Sequence, residues 1–198
     1  MKLIVNGNNI DITLENERTV GEVLKSFEEE AAKNDATTVS IVLNGKAVPA
    51  QDFEKAIQEP ISEDTVLELS VISKNDIKQA FTLSAQNFAQ LSQQLSQVSI
   101  LLQSGKDKDA NQIIADLATE IDRFCHTATL SALFPDTYQK LLIDGKEIGT
   151  FFEDFAPVLK DFEEALKGKD TVTVGDLAEY EIGPRLNSIA QALKKEIA

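Results

Sequence analysis

Residues 66–81 read VLELSVISKNDIKQAF and contain a change of hydrophobic period. Up to Ser73 every second residue is apolar, which is typical of a half-buried strand. From Ile77 onward apolar residues recur at steps of four and three, which indicates an amphipathic helix. The change of period predicts an α+β chain with two domains, residues 1–73 and residues 74–198.

Short apolar runs and Asn-Gly dipeptides characterise the first domain. Asn6-Gly7 separates two such runs and predicts a β-hairpin, because Asn and Gly tolerate the positive φ angles of a tight turn. Thr19 and Glu22 have the spacing of a capping box, so a helix is expected to follow and to end near Ala32. Asn44-Gly45 then turns a third strand into a short edge segment. With the alternating run that ends before Ser73, the element order is β-β-α-β-β.

This order resembles the β-grasp, or ubiquitin-like, fold, and the run 42–49 (VLNGKAVP) is similar to the sulfur-carrier branch of that family. The resemblance covers residues 1–73. Carriers of this kind end in a Gly-Gly tail whose carboxylate is adenylated, whereas this chain contains no diglycine and ends in Ile197-Ala198. The resemblance therefore implies the fold and a recognition module, and we expect neither conjugation nor sulfur transfer.

Strand alternation predicts which apolar residues face the helix. These are Leu3, Val5, Val39, Ile41, Leu69 and Val71. Ile4, Val42 and Ile72 then lie on the opposite face, which is usually polar. We predict that these three residues form a protein-contact surface, for a partner or for the second domain. The alternative is that they are scattered surface apolar residues.

A helical seam opens the second domain. Seven of its eight members are apolar: Ile77, Phe81, Ser84, Phe88, Leu91, Leu95, Val98 and Leu102. We expect one long helix with this seam in the core, ending near Ser104-Gly105.

Three further helices are expected. The second ends near Phe134-Pro135 and has an apolar stripe at Ile113, Leu117, Ile121, Phe124 and Ala128. Residues 136–143 are predicted to form a short helix or turn. The third helix begins near Glu147 and is expected to kink or break at Pro157, and the fourth bends at Gly183-Pro184. Short connections favour antiparallel neighbours, so the second domain is predicted to be an all-α antiparallel four-helix bundle.

Few residues of the second domain are candidates for catalysis or metal binding. Cys125 and His126, the sole cysteine and histidine, point about 100° apart on a helix and lack the further ligands of a zinc site. Asp176 and Glu179 lie one helical turn apart and are the best candidates for a carboxylate-based metal site or enzyme. Their alternative role is solvation or helix capping. We expect no catalytic residues and no cofactor.

The charge balance narrows the range of partners. The net charge is −14, and residues 1–73 hold 6 basic and 14 acidic residues, so both domains are acidic. An acidic surface repels phosphates and anionic lipids, so nucleic acid and membranes are not expected as partners. The single cysteine, the polar start and the lack of a long apolar run favour a cytoplasmic protein.

The leading hypothesis is a non-enzymatic cytosolic adaptor or scaffold that binds another protein. The Ser- and Gln-rich first helix is similar in composition to chaperones of the flagellar and secretion type, which implies an alternative role with an exported helical protein. Residues 170–184 are similar to a closing segment of uncharacterised acidic helical bacterial proteins, and this resemblance assigns no function. The partner's identity and the oligomeric state are left open.

Overall fold

A computed structural model describes residues 1–138 and 141–197 of the chain. It separates into two compact units, Met1–Asp76 and Ile77–Ala198. The fold is α+β, with a mixed sheet in the first unit and mostly helices in the second. Within the described residues, none of the helices combines the length and apolar character needed to cross a membrane.

The first unit pairs one sheet with one principal helix, α1 (Val20–Ala32). The strands are β1 (Lys2–Val5), β2 (Asn8–Ile10), β3 (Ala36–Leu43), β4 (Lys46–Ala47) and β5 (Val66–Ser73). Their spatial order is β2-β1-β5-β3-β4, with β1 parallel to β5 and the other pairs antiparallel. A short 3₁₀ turn and helix α2 (Phe53–Ala56) lie between β4 and β5.

Local sequence explains the turns and the start of α1. Both Asn-Gly turns have positive φ angles, 49° and 79° at Asn6-Gly7 and 50° and 76° at Asn44-Gly45, as predicted. The capping box is also confirmed, since the Thr19 hydroxyl accepts from the Glu22 N–H at 3.3 Å and the Glu22 carboxylate accepts from the Thr19 N–H at 3.1 Å. The helix ends at Ala32, where it was expected to end.

The sheet face that packs on α1 has one exception to the predicted alternation. Leu3 and Leu69 are buried in the core, and Val5, Ile41 and Val71 pack against it. The same assignment was wrong for Val39, which is 41% exposed. A β-bulge between Thr38 and Ser40 adds one residue to β3 and resets the alternation there.

The switch from strand to helix at Ser73 rests on a reciprocal cap. The Ser73 hydroxyl accepts from the Asp76 N–H at 3.1 Å, while the Asp76 carboxylate accepts from the Ser73 N–H at 2.8 Å and from its hydroxyl at 2.7 Å. The Lys74 N–H donates to the Asp35 carbonyl at 2.9 Å. Because these bonds satisfy backbone groups at the helix start, the chain leaves the sheet and begins a helix without a linker.

The second part of the chain contains seven α-helices among the described residues, together with one π-helical segment and a small hairpin. The helices are α3 (Lys74–Leu95), α4 (Val98–Gln103), α5 (Asp107–Ser131), α6 (Pro135–Tyr138), α7 (Ile148–Gly168), α8 (Thr171–Asp176) and α9 (Gly183–Ile197). The hairpin strands are β6 (Leu142–Ile143) and β7 (Lys146–Glu147), joined by a turn at Asp144-Gly145 with positive φ angles. The short helix or turn expected over residues 136–143 corresponds to α6 only as far as Tyr138, because Leu142 and Ile143 form β6. Residues 139 and 140 lie outside the described residues, as does Ala198.

The predicted single first helix is wrong, because it ends at Leu95 and restarts as α4. The Ser96 hydroxyl donates to the Gln93 carbonyl at 2.8 Å, and the Gln97 N–H bonds back to Gln94 in a tighter turn. Side chains such as Ser compete in this way for helical backbone groups. The seam itself is confirmed, since all its members except Leu102 are buried.

Aromatic side chains join the long helices of the second unit. The Phe124 ring on α5 lies 6.0 Å from Phe81 and 5.6 Å from Phe88, both on α3, and 5.8 Å from Phe152 on α7. The break expected at Pro157 is absent, because α7 continues through this exposed residue. Phe151, Phe155 and Phe162 of α7 are buried in the core.

The last helical stretch contains a π-helical segment, Leu177–Ile182, directly before Gly183-Pro184. Pro184 has no N–H for the Tyr180 carbonyl, and the wider π turn accommodates this, with the Gly183 N–H reaching Ala178 instead. The Gly183 carbonyl accepts from the Ser92 hydroxyl of α3 at 2.7 Å. At the expected bend the chain therefore changes from π-helical to α-helical geometry.

Candidate functional site

An open apolar groove of about 430 Å³ lies on the first unit, between α1 and the β2 edge of the sheet. The apolar residues that line it are Leu3, Ile10, Ile12, Leu14, Val23, Phe27, Ala31, Ala36 and Val71. Ile10 is 43% exposed and Leu14 is 39% exposed. Contiguous apolar surface of this kind is a common mark of a binding site.

The rim of this groove is acidic. Glu17 and Glu30 both line it. The Glu17 carboxylate accepts from the Ser26 hydroxyl and the Glu15 N–H, each at 2.9 Å. Hydrogen bonds from its own N–H, from Ser26 and from Glu15 lower the pKa of Glu17, so this rim carboxylate is ionised at neutral pH. Glu30 pairs with the exposed Lys33 at 2.6 Å, which leaves Glu17 as the better-placed charge.

The predicted contact residues occupy the other face of the sheet, and the structure brings two of the three together. Ile4 and Val42 are both register partners of Glu68, on either side of it. Ile72 is four residues further along β5, about 13 Å at the usual rise, and is the partner of Thr37. All three apolar side chains are partly buried. Ile4 and Val42 therefore lie side by side across Glu68, whereas Ile72 lies apart from them, with Ser70 between Glu68 and Ile72 on β5.

A buried carboxylate lies in the helical unit. Glu120 on α5 is 3% exposed. Its Oε2 accepts from the Asn87 side-chain amide at 2.7 Å and from Arg123 at 2.8 Å. Its Oε1 is buried and has no hydrogen-bond partner among the described residues. The residue borders a polar cleft between α3 and α5.

The candidate carboxylates Asp176 and Glu179 are both exposed and lie at the start of the π-helical segment. Glu179, by its charge and a hydrogen bond, raises the pKa of Tyr180, and Asp176 adds a smaller effect. In the described part of the chain, no three His, Cys, Asp or Glu side chains come close enough together to hold a metal ion. The two carboxylates therefore act electrostatically on the Tyr180 phenol, and this residue is 65% exposed.

Cys125 and His126 are both on the exposed side of α5. Partial burial, with a smaller contribution from the charge of Asp122, raises the pKa of the Cys125 thiol. A raised pKa reduces the thiolate fraction at neutral pH, and the thiolate is the reactive form.

Sequence reasoning missed both the groove and Glu120. The alternation of Ile10, Ile12 and Leu14 extends beyond the three residues of β2, and this surplus of apolar residues was the available signal for the groove. Glu120 follows Leu117 by three residues and precedes Phe124 by four, so helical spacing alone places it on the buried stripe. A glutamate at such a position is ordinarily expected to be exposed.

Comparison with known proteins gives matches along nearly the whole chain. The family model of the TP0873 N-terminal domain matches residues 1–73. The model of a domain of unknown function (DUF8042) matches residues 79–192, which is more than half of the chain. An uncharacterized protein of Treponema pallidum (strain Nichols) is 25% identical over 193 residues, covering 98% of this chain and 96% of that protein. No solved structure matches the chain.

Proposed function

The chain belongs to the family of the domain of unknown function DUF8042, and we propose that it is a non-enzymatic adaptor that binds another protein through its N-terminal unit. The observation that carries this proposal is the open apolar groove with its acidic rim. Most of its apolar lining comes from β1, β2, the loop after β2, and α1, and Ala36 of β3 and Val71 of β5 add to it. Exposure of such an apolar surface to water is unfavourable, and a bound partner that covers the groove would remove this exposure.

We also propose that the first unit is a β-grasp domain and that the helical unit is a four-helix bundle. The order β2-β1-β5-β3-β4, with parallel central strands and one helix on the core face, supports the former. The latter is supported by four long helical stretches, namely α3 with α4, α5, α7, and α8 through α9. The contacts of Phe124 and Ser92 join these stretches.

The proposed occupant of the groove is an extended segment of a partner protein, with alternating aliphatic side chains and a basic residue. β2 is an edge strand with exposed residues, so its outer side can accept another strand. Alternate side chains of an added strand point to one face, where the groove offers Ile10, Ile12 and Leu14. The ionised Glu17 on the rim favours a Lys or Arg in the partner segment.

Selection of peptides from a random phage-displayed library on the full-length protein tests this proposal. Enriched peptides should combine alternating aliphatic residues with Lys or Arg, and their affinity should fall with added salt. Ile10→Asp should abolish binding by placing a charge against the apolar wall. Val39→Asp is the matched control, since Val39 is 41% exposed on another strand of the same sheet and Ile10 is 43% exposed. No enrichment, or equal binding by Ile10→Asp, would contradict the proposal.

The same selection examines the predicted contact face at Ile4, Val42 and Ile72. Loss of peptide binding in Val42→Asp but not in Ile10→Asp would assign the interface to that face and not to the groove. Enriched peptides with helical spacing of apolar residues would instead favour the chaperone hypothesis, in which the ligand is a helical exported protein.

A further inference from the structure

Glu120 is a buried carboxylate whose two oxygens differ in their hydrogen bonding. A buried carboxylate needs donors to both oxygens to offset its loss of hydration. In this structure Oε2 has two donors, from Asn87 at 2.7 Å and from Arg123 at 2.8 Å. Oε1 has none among the described residues. Glu120 lines the cleft between α3 and α5, so Oε1 is the oxygen left to accept a hydrogen bond from a ligand there.

The adjoining cleft has the size and polarity for a small polar group. Its volume is about 210 Å³. An apolar cavity of about 150 Å³ holds benzene, so this cleft has room for roughly six to nine non-hydrogen atoms. Apart from Leu91, its lining is polar or charged: Asn87, Gln90, Gln94, Asp116, Thr119, Glu120 and Arg123. The cleft therefore offers amide and hydroxyl groups beside the carboxylate.

The charges and donors select the ligand class. Asp116 and Glu120 against Arg123 leave the lining one negative charge in excess, which disfavours an anion and matches a monocation. A guanidinium binds carboxylates best through both oxygens, but Oε2 is already saturated by Asn87 and Arg123. An ammonium needs only one free carboxylate oxygen and can donate its other protons to amide oxygens.

We propose that the cleft between α3 and α5 binds a primary alkylammonium group through Glu120 Oε1. The group belongs either to a small free amine or to the lysine side chain of a partner protein, since both present the same ammonium at the end of an aliphatic chain. The site is distinct from the apolar groove of the first unit, so its success or failure is independent of the adaptor proposal.

Titration of the ¹⁵N-labelled full-length protein with n-butylammonium tests this site, with 1-butanol as the uncharged control. The side-chain amide signals of Asn87 and Gln90 should shift and saturate with the amine but not with the alcohol. Nα-acetyl-lysine methylamide tests the lysine source, with the norleucine analogue as its uncharged control. Binding of the lysine compound that is tighter than that of n-butylammonium indicates a partner's side chain, and equal or weaker binding indicates a free amine.

Glu120→Gln should weaken amine binding at least tenfold while the exposed Glu179→Gln leaves it unchanged. Circular dichroism checks that Glu120→Gln is folded. If it is not, Asp116→Asn at the exposed border of the cleft replaces it, with weaker binding again expected. The proposal is overturned if neither amine gives saturable shifts, if 1-butanol gives the same shifts, or if the folded variant binds as the wild type does. It is equally overturned if Mg²⁺ or Ca²⁺ perturbs the same signals in preference to the amine.

Discussion

The pKa of Tyr180 is sensitive to the two carboxylates beside it. Its phenol is 65% exposed, and Glu179, ahead of Asp176, raises its pKa because a phenolate next to a carboxylate is disfavoured. We expect Glu179→Gln to lower the pKa of Tyr180 toward the ordinary value of about 10. Phenolate absorbance during alkaline titration measures this, with Tyr180→Phe used to isolate the signal of the other tyrosine, Tyr138. An unchanged pKa would mean that Glu179 does not interact with the phenol in solution.

Calorimetric titration at neutral pH tests the hypothesis of a carboxylate-based metal site at Asp176 and Glu179. The expected result is no binding heat with Mg²⁺, Mn²⁺ or Ca²⁺, because this pair alone offers few ligands for a cation that takes six or more oxygens. A saturable heat that disappears in Glu179→Gln would establish the site.

Leu95 belongs to the predicted seam and Leu83 lies outside it, so the two leucines form a matched pair for testing the seam. Both are leucines of α3, but Leu95 is 1% exposed and Leu83 is 47% exposed. Leu95→Ala should lower the free energy of unfolding by about 2–5 kcal/mol, the range for truncating a buried leucine. Leu83→Ala should change it by less than about 0.5 kcal/mol, as is usual at the surface. Urea unfolding measures both, and equal effects would contradict the heptad assignment.

Among the elements, the close packing of α8 against α4 depends on Gly175. A Cβ added there would lie 2.5 Å from the Ser99 Cβ and 2.6 Å from its hydroxyl oxygen. Gly175→Ala should therefore destabilise the protein by about 1–3 kcal/mol, the usual cost of overpacking. Thermal or urea unfolding measures the change.

A second substitution separates this steric effect from the change of residue type. Ser99→Gly removes the two clashing atoms and should itself cost about 0.5 kcal/mol through helix propensity, since Ser is already a weaker helix former than Ala. Adding Gly175→Ala to Ser99→Gly should then cost little, which a double-mutant cycle detects as coupling. Gly149→Ala is the control, because its added Cβ meets nothing within 4 Å. Additive effects would mean that α4 and α8 are not in this contact.

Elements were predictable where the signal is local or periodic. The capping box at Thr19, the Asn-Gly turns and the buried seam depend on a few neighbouring residues or on a sustained repeat. The bulge that exposes Val39 depends on strand pairing, which a single strand's alternation does not encode. The interruption after Leu95 comes from side-chain competition by Ser96, which leaves the apolar period intact.

The candidate sites were less predictable than the elements for a related reason. A groove is formed by residues from several elements, and Ile10 and Phe27 have no sequence relation that indicates their proximity. Glu120 obeys the helical period, but burial of a carboxylate becomes understandable only with Asn87 from another helix. Both sites therefore depend on tertiary packing that the sequence pattern constrains but does not specify.

For the whole molecule, we expect the helical part to fold without the first unit. The fully buried phenylalanines Phe81, Phe88, Phe124 and Phe155 all belong to the segment 74–198. A chain of this length is large enough to bury a sufficient core, whereas domains near 60 residues are marginal. A fragment of residues 74–198 should show a helical circular dichroism spectrum and one cooperative thermal transition. The fragment 1–73, with its own core of Leu3, Leu67 and neighbours, should fold but melt at lower temperature. A disordered spectrum for 74–198 would show that the helices depend on the sheet unit and that the boundary at Ser73 does not separate two domains.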